Sequence, residues 1–80
     1  MNIRILLFGV ARDIVGDTTI DIEVQENENV GAIMTRLRSS YPAFNDLKSL
    51  MVAVNSEYAD ESQIIKNSDE IALIPPVSGG

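Results

Sequence analysis

Asp69-Glu70-Ile71-Ala72-Leu73-Ile74-Pro75-Pro76-Val77-Ser78-Gly79-Gly80 is the stretch that decides how this chain is read. Ile71 and Leu73 alternate with Ala72 and Ile74, the period of a strand that is apolar on both faces. Pro75 and Pro76 stop that strand, because neither can donate to a ladder. Their fixed φ also favours an extended exit. Gly79 and Gly80 follow with no Cβ to widen the backbone, so the tip fits a narrow slot and carries a carboxylate. A strand, a stiff arm and a slim end therefore come in succession. Two glycines alone also describe a frayed end, so the upstream pattern has to carry the argument.

Working backwards, Lys66 to Asp69 is a polar turn, and Tyr58 to Ile65 is irregular, with room for a short edge strand and a 3₁₀ turn. Asn55-Ser56-Glu57 is a turn after a strand over 51–55, in which Val52 and Val54 oppose Met51 and Ala53. Residues 44–51 read as a loop with at most one helical turn. Ahead of them Val30, Ile33, Met34 and Leu37 follow the i, i+3, i+4, i+7 spacing of a helix face. Asn29 is placed to cap that helix, Arg36 and Arg38 suit its final turns, and Pro42 ends it. Thr19 to Val24 alternates cleanly, with Ile20, Ile22 and Val24 on one side, and should pair antiparallel with an opening strand over 2–9. Residues 11–18 connect the two, with Gly16-Asp17 as the turn signal.

The opening strand carries Ile3, Ile5 and Leu7 on one face and Arg4, Leu6 and Phe8 on the other. One convincing helix can cover only one face of the sheet, so Leu6 and Phe8 belong to an uncovered side. The order β-β-α-β-(β)-β describes a small α+β domain with a sheet of four to five strands. Residues 1–74 make up that domain and 75–80 an extended, flexible tail.

Composition narrows the chemistry. Eighty residues make one domain with a modest core. The chain has no cysteine and no histidine. It therefore lacks disulfides, thiolate metal ligands and the usual nucleophile–base pairs. Its 12 acidic residues are scattered, so the carboxylate of Gly80 becomes the leading carrier of any transferred group. A net charge of −6 argues against nucleic acid and against a polybasic membrane anchor. No run of apolar residues approaches a membrane span, and no export signal is present, which makes the cytoplasm the expected location.

Ile3-Arg4-Ile5-Leu6-Leu7-Phe8, Val52-Ala53-Val54-Asn55 and the whole of 69–80 resemble the small, sulfur-carrier subunits of molybdopterin synthase, which have the ubiquitin-like β-grasp fold. The likeness covers the chain in length and element order, and its last dozen residues are the specific part. Thiamin-pathway sulfur carriers share the fold and the Gly-Gly end but generally lack the double proline. One departure is that Asn67-Ser68 occupies a turn where the family often has glycine.

The resemblance implies a mixed sheet in which the first and last strands lie side by side and parallel. It implies that Gly80 is adenylated by an ATP-dependent E1-like enzyme, converted to a thiocarboxylate and inserted into a large subunit. There the sulfur passes to a cyclic pyranopterin precursor. The chain would then be no enzyme by itself and would bind no metal or cofactor directly. Two carriers would flank a large-subunit dimer as a heterotetramer. Gly79 and Gly80 would be the working tip, and six residues from Pro75 reach roughly 20 Å. Leu6, Phe8, Ala72 and Ile74, continuing through Pro75, Pro76, Val77 and Ser78, would form the face that partners recognise. Two other readings share this fold: a protein modifier joined to lysines through Gly80, and a binding module with an inert tail.

Overall fold

The computed structural model describes residues 1–47 and 50–75. Strand β1 (Asn2–Leu7) leads through a short helix, α1 (Val10–Val15), to β2 (Thr19–Glu23). The main helix, α2 (Val30–Ser40), is followed by a 3₁₀ helix (Pro42–Asp46) and by β3 (Met51–Val54), β4 (Glu57–Tyr58) and β5 (Ile71–Ile74). The strands form one sheet in the order β2-β1-β5-β3-β4. β1 pairs antiparallel with β2 and parallel with β5, and β3 is antiparallel to both β4 and β5. This is the β-grasp arrangement that the element order and the resemblance pointed to, a mixed sheet with one main helix.

Alternation in the strands and the helical stripe meet in one core. Ile3, Ile5 and Leu7 of β1, Val52 and Val54 of β3, and Ile71 and Leu73 of β5 are buried together with Val30, Ile33, Met34 and Leu37 of α2. Each such side chain contributes about 1.5–3 kcal/mol by leaving water. Ile20 and Ile22 point to the same core but stay half-buried, because β2 is an edge strand.

The first amides of α2 have partners, as a buried helix end requires. The Asn29 side chain accepts from the Ala32 amide at 2.9 Å, the cap that the sequence anticipates. The amides of Val30 and Gly31 donate to the carbonyls of Gln63 and Glu61, at 2.9 and 3.0 Å. The segment that reads as irregular is thus a strap across the helix start. The Ile65 amide donates to the Glu28 carbonyl at 2.9 Å, and this seats the Ile65 side chain in the core.

Two places differ from the sequence reading. β1 stops at Leu7 and not at Gly9, because Gly9 adopts φ +55° and the Phe8 carbonyl accepts from the Ala11 amide at 3.1 Å, turning the chain. The connection over 11–18 contains α1, which buries Ala11 and ends at Gly16. Gly16 sits at φ +87°, its amide bonded to the Arg12 carbonyl at 2.7 Å. The helical turn allowed for in the loop over 44–51 is the 3₁₀ helix that Pro42 opens: Phe44 is buried within it, its ring edge-to-face with Tyr41 at 6.0 Å between centroids.

The β3–β4 hairpin closes on Asn55 and Ser56, both with positive φ, 53° and 71°. That pair of angles gives a two-residue loop the twist of its flanking strands, and asparagine tolerates it. The turn before β5 closes without glycine: Asn67 and Ser68 are not among the positive-φ residues, and the Asp69 carboxylate accepts from the Lys66 amide at 2.7 Å. Among the described residues no helix is long and apolar enough to cross a membrane.

Candidate functional site

The face of the sheet away from α2 is set by register. Leu6 lies opposite Ala72, Ala72 opposite Ala53, and Ala53 opposite Tyr58, a row that crosses β1, β5, β3 and β4. Beside this row Ile74 pairs with Met51. The two alanines are the smallest members of the row, so the centre is depressed between larger neighbours. Ala53 is only 6% exposed although it stands outside the core cluster, whereas Phe8 is 48% and Tyr58 68% exposed. The result is a groove of about 340 Å³ with Leu6, Phe8, Ile74 and Tyr58 around an alanine floor and Ser56 and Glu70 at its edge.

Leu6, Phe8, Ala72 and Ile74 are thus brought together on one surface, as their places in the strands suggested. Pro75 continues from them, half-buried. It lies against the β1–α1 turn, where a Cβ on Gly9 would come within 3.2 Å of the Pro75 ring. Pro76, Val77, Ser78, Gly79 and Gly80 lie outside the described residues. Ala53, Ser56, Tyr58 and Glu70 also line the groove and were not read as site residues from sequence. Ala53 lies two positions from Met51 on the same strand face, a signal that becomes readable once the pairing of β3 with β5 is known.

Charge on this face is organised at its edges. Arg4 donates to Asp21 across the β1–β2 pair at 3.3 Å, both side chains exposed. The Glu70 backbone is pinned at the groove edge by Asn55, whose side-chain oxygen accepts from the Glu70 amide at 3.0 Å and whose backbone N–H donates to the Glu70 carbonyl at 2.8 Å. Two carboxyls lie below their ordinary range. Glu28 is held there by hydrogen bonds from Arg36 and from the Gln25 amide, and Asp60 by the hydroxyl and amide of Ser62. Neither lines the groove; both brace turns. Apolar walls, small floor residues and one carboxylate at the edge are the chemistry of a docking surface.

Comparison with known proteins follows the same line, with residues 5–80 matching the ThiS family. The chain belongs to that family. This ThiS-family chain is 38% identical to the molybdopterin synthase sulfur carrier subunit of Dictyostelium discoideum, over 96% of its own length and 94% of that protein's. It is 32% identical to the corresponding subunit of Arabidopsis thaliana, over 100% of this chain and 84% of that protein. Among solved structures it is similar to SAMP1 of Haloferax volcanii, a small archaeal modifier protein, with a TM-score of 0.84, 28% identity and full coverage of both chains. The same fold occurs in a chain from the complex of subunits 1 and 2 of the molybdopterin-converting factor of Helicobacter pylori, at a TM-score of 0.71 and 22% identity, again over 100% of both.

Proposed function

We propose that this chain is a sulfur carrier for molybdopterin synthesis, with the carboxylate of Gly80 as its working group. What carries the reading is the full-length match to sulfur carrier subunits, which extends through the Gly79-Gly80 end. A carboxylate is a poor acyl donor. An E1-like adenylyltransferase would join the Gly80 carboxylate oxygen to the α-phosphorus of ATP and release pyrophosphate. Sulfide-level sulfur then attacks the carbonyl carbon and AMP leaves with the C–O bonding pair, giving the thiocarboxylate; a persulfide donor would give an acyl disulfide instead, which a thiol cleaves to the thiocarboxylate with formation of a disulfide. Holding that sulfur beside a pterin precursor inside the large subunit turns a bimolecular encounter into a local one.

In this scheme the chain supplies the sulfur, and the catalytic side chains and the pterin site belong to the large subunit. The groove around Ala53 and Ala72 and the strip through Leu6, Phe8 and Ile74 dock the partners, and Gly79 and Gly80 pass through their narrow channels. Support for a large-subunit partner comes from the apolar face beside the tail exit; the Helicobacter pylori chain of the same fold is itself in a complex with subunit 2. The test is intact mass spectrometry of the chain purified from its native host. A mass increase equal to the replacement of one oxygen by one sulfur, lost in a form truncated before Gly79, is the expected result. A chain that supports cofactor synthesis without those two glycines would refute it.

The likeness to a small archaeal modifier protein favours one second reading, conjugation of Gly80 to lysines of other proteins. Adenylation is common to both routes, and only the nucleophile differs. Gel-shifted conjugates that contain this chain and disappear when Gly79 and Gly80 are deleted would establish the modifier role.

A further inference from the structure

The groove on the outer face is amphipathic along its length. Its floor is Ala53 and Ala72, and its walls are aliphatic toward Leu6 and Ile74. Toward the β3–β4 turn it changes character, with the Glu70 carboxylate, the Ser56 hydroxyl and the ring of Tyr58. Glu70 forms no salt bridge among the described residues, since Arg4, on the neighbouring strand, is engaged with Asp21. Ser56 and Tyr58 are both exposed, Tyr58 to 68%. The chain as a whole carries a net charge of −6, which favours a cationic partner group at such an edge.

We propose that this groove receives an arginine side chain of the large subunit, its aliphatic stem on the Ala53–Ala72 floor and its guanidinium between Glu70, Ser56 and the face of Tyr58. Arginine fits each part of the surface. Its stem covers apolar area while its head stays polar. Its planar fork pairs with a carboxylate, donates to a hydroxyl and stacks on an aromatic ring at once, which the compact lysine ammonium does not do. The backbone of Glu70 is held by Asn55 on both its amide and its carbonyl, so the carboxylate is offered from a fixed position. The assignment rests on the carrier reading above and gives the docking face a specific anchor.

The test is the affinity of the full-length chain for the large subunit of the same organism, measured at low and at physiological salt. Glu70→Gln should weaken binding by about tenfold at low salt and flatten its salt dependence. Tyr58→Leu, which keeps the apolar wall but loses the π-face, should weaken it by about fivefold. In the double variant the two losses should fall short of multiplying, because both residues hold the same group. Both side chains are exposed, and melting temperatures should stay near wild type. Wild-type affinity in Glu70→Gln, a loss indifferent to salt, or two fully independent losses would overturn the assignment. Absence of binding by the wild-type chain is a separate failure, of the carrier reading itself.

Discussion

Replacing Asn55 separates a backbone effect from a hydrogen-bond effect at the groove edge. Asn55 sits at φ +53° and its side chain makes two bonds, to the Glu70 amide at 3.0 Å and to the Asp69 carboxylate at 2.8 Å. Exposed bonds of this kind contribute roughly 0.5–1 kcal/mol each, the low half of the usual range. A left-handed residue with a Cβ that lacks asparagine's local bonding costs about 1 kcal/mol more. Asn55→Ala loses both contributions and should cost about 2–3 kcal/mol. Asn55→Gly loses only the bonds, with a small entropic penalty, and should cost about 1–2 kcal/mol. For a domain of this size those losses lower the melting temperature by roughly 15 °C and 8 °C. Asn55→Asp keeps an acceptor for the Glu70 amide but sets a second carboxylate against Asp69 in place of the side-chain N–H that Asp69 accepts from, so it should be less stable than wild type at pH 7. The assay is urea and thermal unfolding of the variants at pH 7. Equal stabilities for the Ala and Gly variants would refute the left-handed argument, and wild-type stability in both would show that the network holds nothing.

Other positions give independent checks. Gly16→Ala should lose about 1 kcal/mol, through backbone strain alone, because nothing lies within 4 Å of an added Cβ there; an unchanged denaturant midpoint would contradict this. Phe8→Asp should weaken large-subunit binding with little change in melting temperature, since the ring is half exposed, and an unaltered affinity would remove Phe8 from the docking face. Gly79→Val should block sulfur loading or delivery while the domain stays folded, and wild-type transfer rates would count against a narrow channel. The lowered carboxyl of Glu28 stabilises the fold above its ordinary value of 4.5 and ceases to do so as pH falls through its depressed folded value. The stability gap between wild type and Arg36→Met should therefore narrow between pH 7 and pH 3; a constant gap in thermal melts would show that the pair is not the cause.

The elements legible in the sequence are those whose period repeats. Val30, Ile33, Met34 and Leu37 span two turns of α2, and the alternation in β1 and β5 separates an inner from an outer face without ambiguity. α1 escaped because six residues hold less than two turns, and only Ala11 within it is fully buried. Ile65 and Phe44 escaped because irregular backbone has no period: the strap is placed by bonds to the start of α2, and Phe44 by the tight turn after Pro42. At the site, β1 and the residue just past its end supplied Leu6 with Phe8, and β5 supplied Ala72 with Ile74. The opposite wall needed the β3–β5 and β3–β4 registers, and those contacts join residues far apart in the chain. Tyr58 in particular stands on a strand of two residues, too short to announce a face.

β5 is hydrogen-bonded along both edges, parallel to β1 and antiparallel to β3, and the tail continues from its end. A tug on the C-terminus therefore loads two ladders in shear, many bonds at a time, where an edge strand would unzip them singly. An enzyme that grips the tip, strains it or drags it through a channel meets its resistance in the centre of the sheet. The domain acts as an anchor block: force at the tail is spent on moving the whole body before it can peel the body open.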